Sequence, residues 1–180
     1  NNCLMTNLIQ EEVELQSRID YFRETYPARP PRPNAIKNND ELRQLTSDEG
    51  LEEFDINLGA RAIKGELPVS YPTRNPYLWV IGKERVPAIL EAAEIGKSLE
   101  SKIVKHTNLT GGDDAHCGGE VWFIEDRKII ISGSSGRYGP DINDGEKLAS
   151  AAHVFKEQGY EVASLGMDES GRPSIILVGD

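Results

Sequence analysis

Long apolar runs are missing from this 180-residue chain, and so are cysteine pairs, a basic surplus and an abundance of aromatic rings. Each absence removes a class of protein. No stretch approaches the roughly 20 apolar residues that span a bilayer, so no membrane association is expected. No basic segment followed by an apolar one marks a secretory signal, which predicts a cytoplasmic location. The two cysteines, Cys3 and Cys117, make neither a disulfide framework nor a CxxC metal pattern. Thirty acidic residues against 20 basic ones give a formal charge of −10, and such a surface repels the backbone of duplex nucleic acid. The same charge does not forbid a small anion held in a local pocket.

What is present begins with periodicity. Leu4, Leu8, Ile9, Val13, Leu15, Ile19 and Phe22 recur at helical spacing and predict an amphipathic helix over 4–25. Four prolines within 27–33 then hold the chain extended as a linker or surface strap. Short helical patterns follow over 39–54, with Thr46 as an N-cap, and 55–76 reads as loop with one short strand. The apolar run from Tyr77 to Ile81 predicts a strand, and Val86 to Leu90 its hairpin partner. Residues 103–106 look strand-like, as do 120–124, 129–132, 160–167 and 174–178. Glu146 to Gln158 carries a helical pattern stopped by Gly159. The order predicts an α+β fold: a largely antiparallel sheet, one long C-terminal helix and an amphipathic N-terminal helix. Residues 1–36 form a helix and proline strap, and 37–180 a single domain.

The unusual residues gather between His106 and Pro140. Gly133-Ser-Ser-Gly-Arg-Tyr-Gly-Pro follows a strand and precedes a helix. Small residues there let backbone amides approach a ligand, so Ser134, Ser135, Gly136 and Arg137 are candidate anion contacts, with Thr107 beside them. His106 is a candidate general base, Glu120 a carboxylate able to orient it, and Tyr138 a stacking or proton-donating group. No particular cofactor is implied. Trp122 and Phe123 should point to opposite faces of their strand.

These residues leave several functions open. The leading expectation is an enzyme or enzyme-like pocket for a small anionic ligand, a nucleotide or other phosphorylated compound. The second is a non-catalytic acidic interaction or immunity-type protein that meets a protein partner through its N-terminal helix. A third is a metal-dependent hydrolase built on His106, Asp113, Asp114 and His116, although no recognised metal-ligand spacing joins them. Cys117 is a weaker candidate nucleophile.

Taken in order, His106-Thr-Asn-Leu-Thr-Gly-Gly, Cys117-Gly-Gly-Glu and Ser135-Gly-Arg-Tyr-Gly-Pro resemble a segment of the plant IQ-motif-containing calmodulin-binding proteins and related microbial proteins. The resemblance covers about residues 103–165. It implies that His106, Gly119, Glu120, Ser135, Gly136 and Tyr138 form one constellation. Thr107-Asn108 stands where that pattern has two serines, and Arg137 where it has histidine. No IQ motif is present, so calmodulin is not implied. The chain is also faintly similar to ADP-ribosyltransferases, which pair a strand-borne histidine with a later tyrosine. His106 and Tyr138 would take those parts, with Glu157 or Glu161 as the third group.

Overall fold

A computed structural model describes residues 16–63, 75–141, 144–167 and 173–178. The fold is mixed α/β around a mostly antiparallel sheet. Its strands are β1 (Glu52–Glu53), β2 (Tyr77–Gly82), β3 (Pro87–Leu90), β4 (Ala115–Glu125), β5 (Lys128–Ser132), β6 (Glu161–Met167) and β7 (Pro173–Leu177). They lie in the order β1-β3-β2-β4-β5-β6-β7, and only β5 and β6 run parallel. The helices are α1 (Arg18–Thr25), α2 (Leu58–Ala62), α3 (Thr107–Thr110) and α4 (Gly145–Gln158).

Strand alternation sorts the core into two clusters. Trp79, Ile81, Cys117, Val121, Phe123, Ile129 and Ile131 face one side, where Phe22 of α1 and Phe155 of α4 pack on them. The few aromatic rings concentrate here. Phe54 stacks on Phe155 with centroids 4.4 Å apart, and Trp79 meets Phe155 edge-on at 5.1 Å. On the opposite face Leu78, Val80 and Ile89 pack with Leu45, Val104, Leu109 and Tyr138. Trp122 lies on this second face and Phe123 on the first, as alternation requires.

The parallel pair needs a crossover, and α4 supplies it. Asp144 caps its start by accepting from Lys147 N at 3.1 Å. Gly159 ends it at φ 119°, where a β-carbon would strain the backbone. Residues 4–15 of the expected N-terminal helix lie outside the described residues. Its remaining part, α1, packs on α4 and buries Phe22 completely.

Three local expectations are corrected. Residues 103–106 form no strand, because Val104 alone turns into the second cluster and the chain goes straight into α3. Residues 58–62 are helical rather than loop. The strand expected at 120–124 begins earlier: Gly118 and Gly119 sit within the eleven-residue β4, so Glu120 is mid-strand. The expected turn at 168–172 lies outside the described residues.

Candidate functional site

Residues far apart in sequence converge around Glu41, a residue that no sequence pattern singles out. Glu41 lies in a one-turn 3-10 segment, Asn39–Leu42, and is 1% exposed. Its carboxylate accepts four hydrogen bonds. Arg137 Nε and Thr107 Oγ1 reach Oε1 at 2.9 and 3.0 Å, while Arg137 Nη2 and Lys37 N reach Oε2 at 3.1 and 3.0 Å. Burial acts to raise the Glu41 pKa, but Arg137 and the other donors outweigh it and hold the carboxyl below its usual value. Arg137 Nη2 also donates to Ala35 O at 2.6 Å, which leaves Nη1 without a hydrogen bond among the described residues.

Thr107 and Asn108 therefore anchor the 40–45 segment. Asn108 Nδ2 donates to Asp40 O and Arg43 O at 3.1 and 3.0 Å, and its Oδ1 accepts from Lys105 N at 2.9 Å. His106 is turned the other way. Its Nε2 donates to Gly119 O at 2.8 Å, and burial pushes its pKa down to about 4, so it is neutral near pH 7. Tyr138 donates to Asp113 O at 2.7 Å and bonds Thr110 Oγ1 at 2.8 Å; burial raises its hydroxyl to about 12.

The double glycine of β4 makes this convergence possible. A β-carbon on Gly118 would lie 3.1 Å from Tyr138 Cβ and 3.3 Å from His106 Cδ2. One on Gly119 would lie 1.9 Å from Ser132 O and 2.6 Å from the Trp79 ring. Glu120, next along, accepts from Ser132 Oγ at 3.0 Å, and burial raises its pKa despite that bond. Ser135 Oγ is occupied as well, accepting from Arg137 N and Tyr138 N at 3.3 and 3.1 Å. Ser134 N donates to Ser132 Oγ, and Gly136 sits beside Ala35 of the strap.

The other candidate sets do not assemble. No three potential metal-ligating side chains gather among the described residues. Asp113 pairs with Lys83 at 3.2 Å on the surface, while His106 points to Gly119. Cys117 is buried and its thiol is pushed up to about 12, which keeps it protonated. Glu161 aligns with Lys128, four residues of β5 from Ser132, and so lies about 13 Å along the strands and two strands across from the Glu120 position. Glu157 accepts from Arg18 N at the far end of α4.

The strap itself encloses a cleft. Arg29 and Ala115 exchange backbone hydrogen bonds at 2.9 Å, adding the strap to the start of β4. Arg32 Nη2 donates to Gly139 O at 2.6 Å and pairs with Asp141 at 3.3 Å. Between the strap, the 137–141 loop and the start of α4 lies a cavity of about 290 Å³, lined in part by Arg29, Arg32, His116, Arg137, Tyr138 and Lys147. Arg29 and Lys147 make no ion pair among the described residues; the Lys147 ammonium sits 5.6 Å from the Tyr26 ring centroid. His106, Thr107, Glu120, Ser134, Ser135 and Gly136 do not line this cleft. A wider groove of about 730 Å³, elsewhere on the surface, is bordered by Glu52, Glu53, Glu84, Asp113 and Asp114 and is unsuited to anions.

Comparison of the chain with protein-family models, curated proteins and solved structures returns no match. No helix among the described residues is long and apolar enough to cross a membrane.

Proposed function

We propose that the protein binds a small anionic ligand, of the size of a monophosphorylated compound, in the cleft beneath the proline strap. The observation that carries this reading is the concentration of positive charge there on a chain of net charge −10. Arg29, Arg32 and Lys147 line the cleft together with Asp141 and Asp144; Arg32 pairs with Asp141, while Arg29 and Lys147 have no carboxylate partner among the described residues. Clustered cations in a partly enclosed, low-dielectric space favour an anion more strongly than the same charges on an open surface. A volume of about 290 Å³ lies at the small end of ligand sites, which suits a monophosphate better than a dinucleotide.

In this reading Tyr138 lines the site, His106 and Glu120 lie outside it, and none of the three reacts. His106 and Tyr138 are held by hydrogen bonds to backbone carbonyls, and Glu120 by Ser132. The ADP-ribosyltransferase-like reading gains nothing from the positions of Glu157 and Glu161, nor the metal-dependent hydrolase reading from those of Asp113 and Asp114. A protein partner at the N-terminal helix would have to use residues other than Phe22, which the core has taken.

The test is calorimetric titration with inorganic phosphate and ribose 5-phosphate. The wild-type chain should bind at least one of them, and the double variant Arg29→Ala/Lys147→Ala should lose at least tenfold in affinity while melting normally. Equal binding by both proteins would refute the assignment of the cleft.

A further inference from the structure

Among the described residues, His116 is a buried polar side chain of the cleft whose hydrogen-bonding capacity is half used. It is 8% exposed. Its Nδ1 lies 2.5 Å from Tyr26 O, and a carbonyl only accepts, so Nδ1 carries the proton of a neutral ring. Burial lowers the imidazole pKa, and the positive charges of Arg23 on α1, Lys147 on α4 and Lys83 after β2 push it the same way, against the opposing Tyr26 carbonyl. The ring is therefore neutral near pH 7, and its tautomer is fixed by the Tyr26 carbonyl. Nε2 is then a bare lone pair. It has no hydrogen-bond partner among the described residues, and His116 lines the cleft.

The cleft thus offers two opposite kinds of contact. Arg29, Arg32 and Lys147 donate, and His116 Nε2 accepts. Asp141 and Asp144 also line the cleft, but their carboxylates are already engaged, by Arg32 and by Lys147 N. A fully deprotonated oxyanion satisfies the cations but sets an oxygen lone pair against the His116 lone pair. An oxyanion that keeps one proton satisfies both. Polar sites reject analogues that cannot complete their hydrogen bonds more strongly than apolar sites reject a change of size.

We propose that the cleft selects oxyanions that carry a proton, monohydrogen phosphate or the P–OH form of a phosphomonoester, over sulfate and phosphodiesters, with His116 Nε2 accepting that proton's hydrogen bond. No covalent step is involved; the ligand O–H donates and stays bonded to its oxygen. The proposal rests on the reading that the cleft binds an anion, and the experiment separates the two.

The probes are inorganic phosphate, sulfate and dimethyl phosphate, titrated calorimetrically into the full chain at pH 8. There phosphate and sulfate are both dianions, and only phosphate retains a proton. The expected result is phosphate binding at least tenfold tighter than sulfate, with dimethyl phosphate weaker than phosphate. In His116→Asn the amide N–H can still serve Tyr26 O while the Nε2 acceptor is lost, and phosphate and sulfate should fall within about twofold of each other. Should that variant not fold, the three wild-type titrations decide alone. Equal affinities for phosphate and sulfate in the wild type would overturn the proposal and leave the cleft standing as an anion site. No heat with any of the three would overturn both.

Discussion

Replacing Arg137 with leucine strips the Glu41 carboxylate of its only cationic partner among the described residues. That carboxylate is 1% exposed, and the guanidinium supplies two of its four hydrogen bonds. Leaving one member of a buried ion pair uncompensated costs about 3–5 kcal/mol, well above the 0–1 kcal/mol of an exposed pair. With a urea m-value of about 2 kcal/mol/M, the unfolding midpoint of Arg137→Leu should drop by about 1.5–2.5 M. The double variant Glu41→Leu/Arg137→Leu removes both charges. It still leaves the Lys37 amide and the Thr107 hydroxyl without their acceptor, at about 1–2 kcal/mol each. It should therefore be no less stable than Arg137→Leu, and the cycle should give a coupling of at least about 2 kcal/mol. A loss below about 1 kcal/mol for Arg137→Leu, or strict additivity in the cycle, would refute the view that this pair clamps the Asn39–Leu42 segment to the 137–141 loop.

Acid should destabilise the protein through His106. Its folded pKa of about 4 lies below the unfolded value of 6.5, so the stabilising effect is complete above pH 6.5 and is lost as pH falls toward 4. The loss approaches roughly 3 kcal/mol, and His106→Asn should flatten that part of a stability–pH curve from urea melts; an unchanged slope would contradict it. Gly119→Ala should cost at least about 3 kcal/mol, because its β-carbon meets the Ser132 carbonyl and the Trp79 ring, both held in the core; a thermal melt within 2 °C of wild type would contradict that close approach.

Much of the sheet was legible because its strands follow simple rules. Tyr77–Ile81 and Ile129–Ser132 are near-continuous apolar runs, as strands covered on both faces should be. The pattern of α4 ends on a glycine, as a helix should. The double glycine of β4 misled for a physical reason. Glycine usually signals a turn, but at 118 and 119 it removes side chains where His106, Tyr138, Ser132 and Trp79 press on the strand. Residues 103–106 misled because a short apolar pattern does not separate a strand from a loop pinned by one buried valine.

Of the candidate catalytic and anion-contact residues singled out in the sequence, only Arg137 and Tyr138 line the cleft. His106, Thr107, Arg137 and Tyr138 do come together, since α3 and the 137–141 loop both abut Gly118 and the Glu41 segment. Glu41 itself was hidden. An acidic residue among Asn38, Asn39 and Asp40 reads as solvated surface, and only the Arg137 and Thr107 contacts reveal it as buried. The strap read as a spacer, because nothing in its composition announces that Arg29 pairs with Ala115 and so encloses a cleft. His116 was weighed only as a metal ligand. Its half-used imidazole depends on the Tyr26 carbonyl, a backbone contact 90 residues away that no local pattern encodes.

On the proposed reading, the strap, the 137–141 loop and the start of α4 enclose a site for a small phosphorylated anion. That site is tested most directly by titrating inorganic phosphate into the wild-type chain and into Arg29→Ala/Lys147→Ala side by side. Saturable one-site binding to the wild type and at least a tenfold loss in the variant are expected. Identical isotherms, or none in either protein, would contradict that assignment.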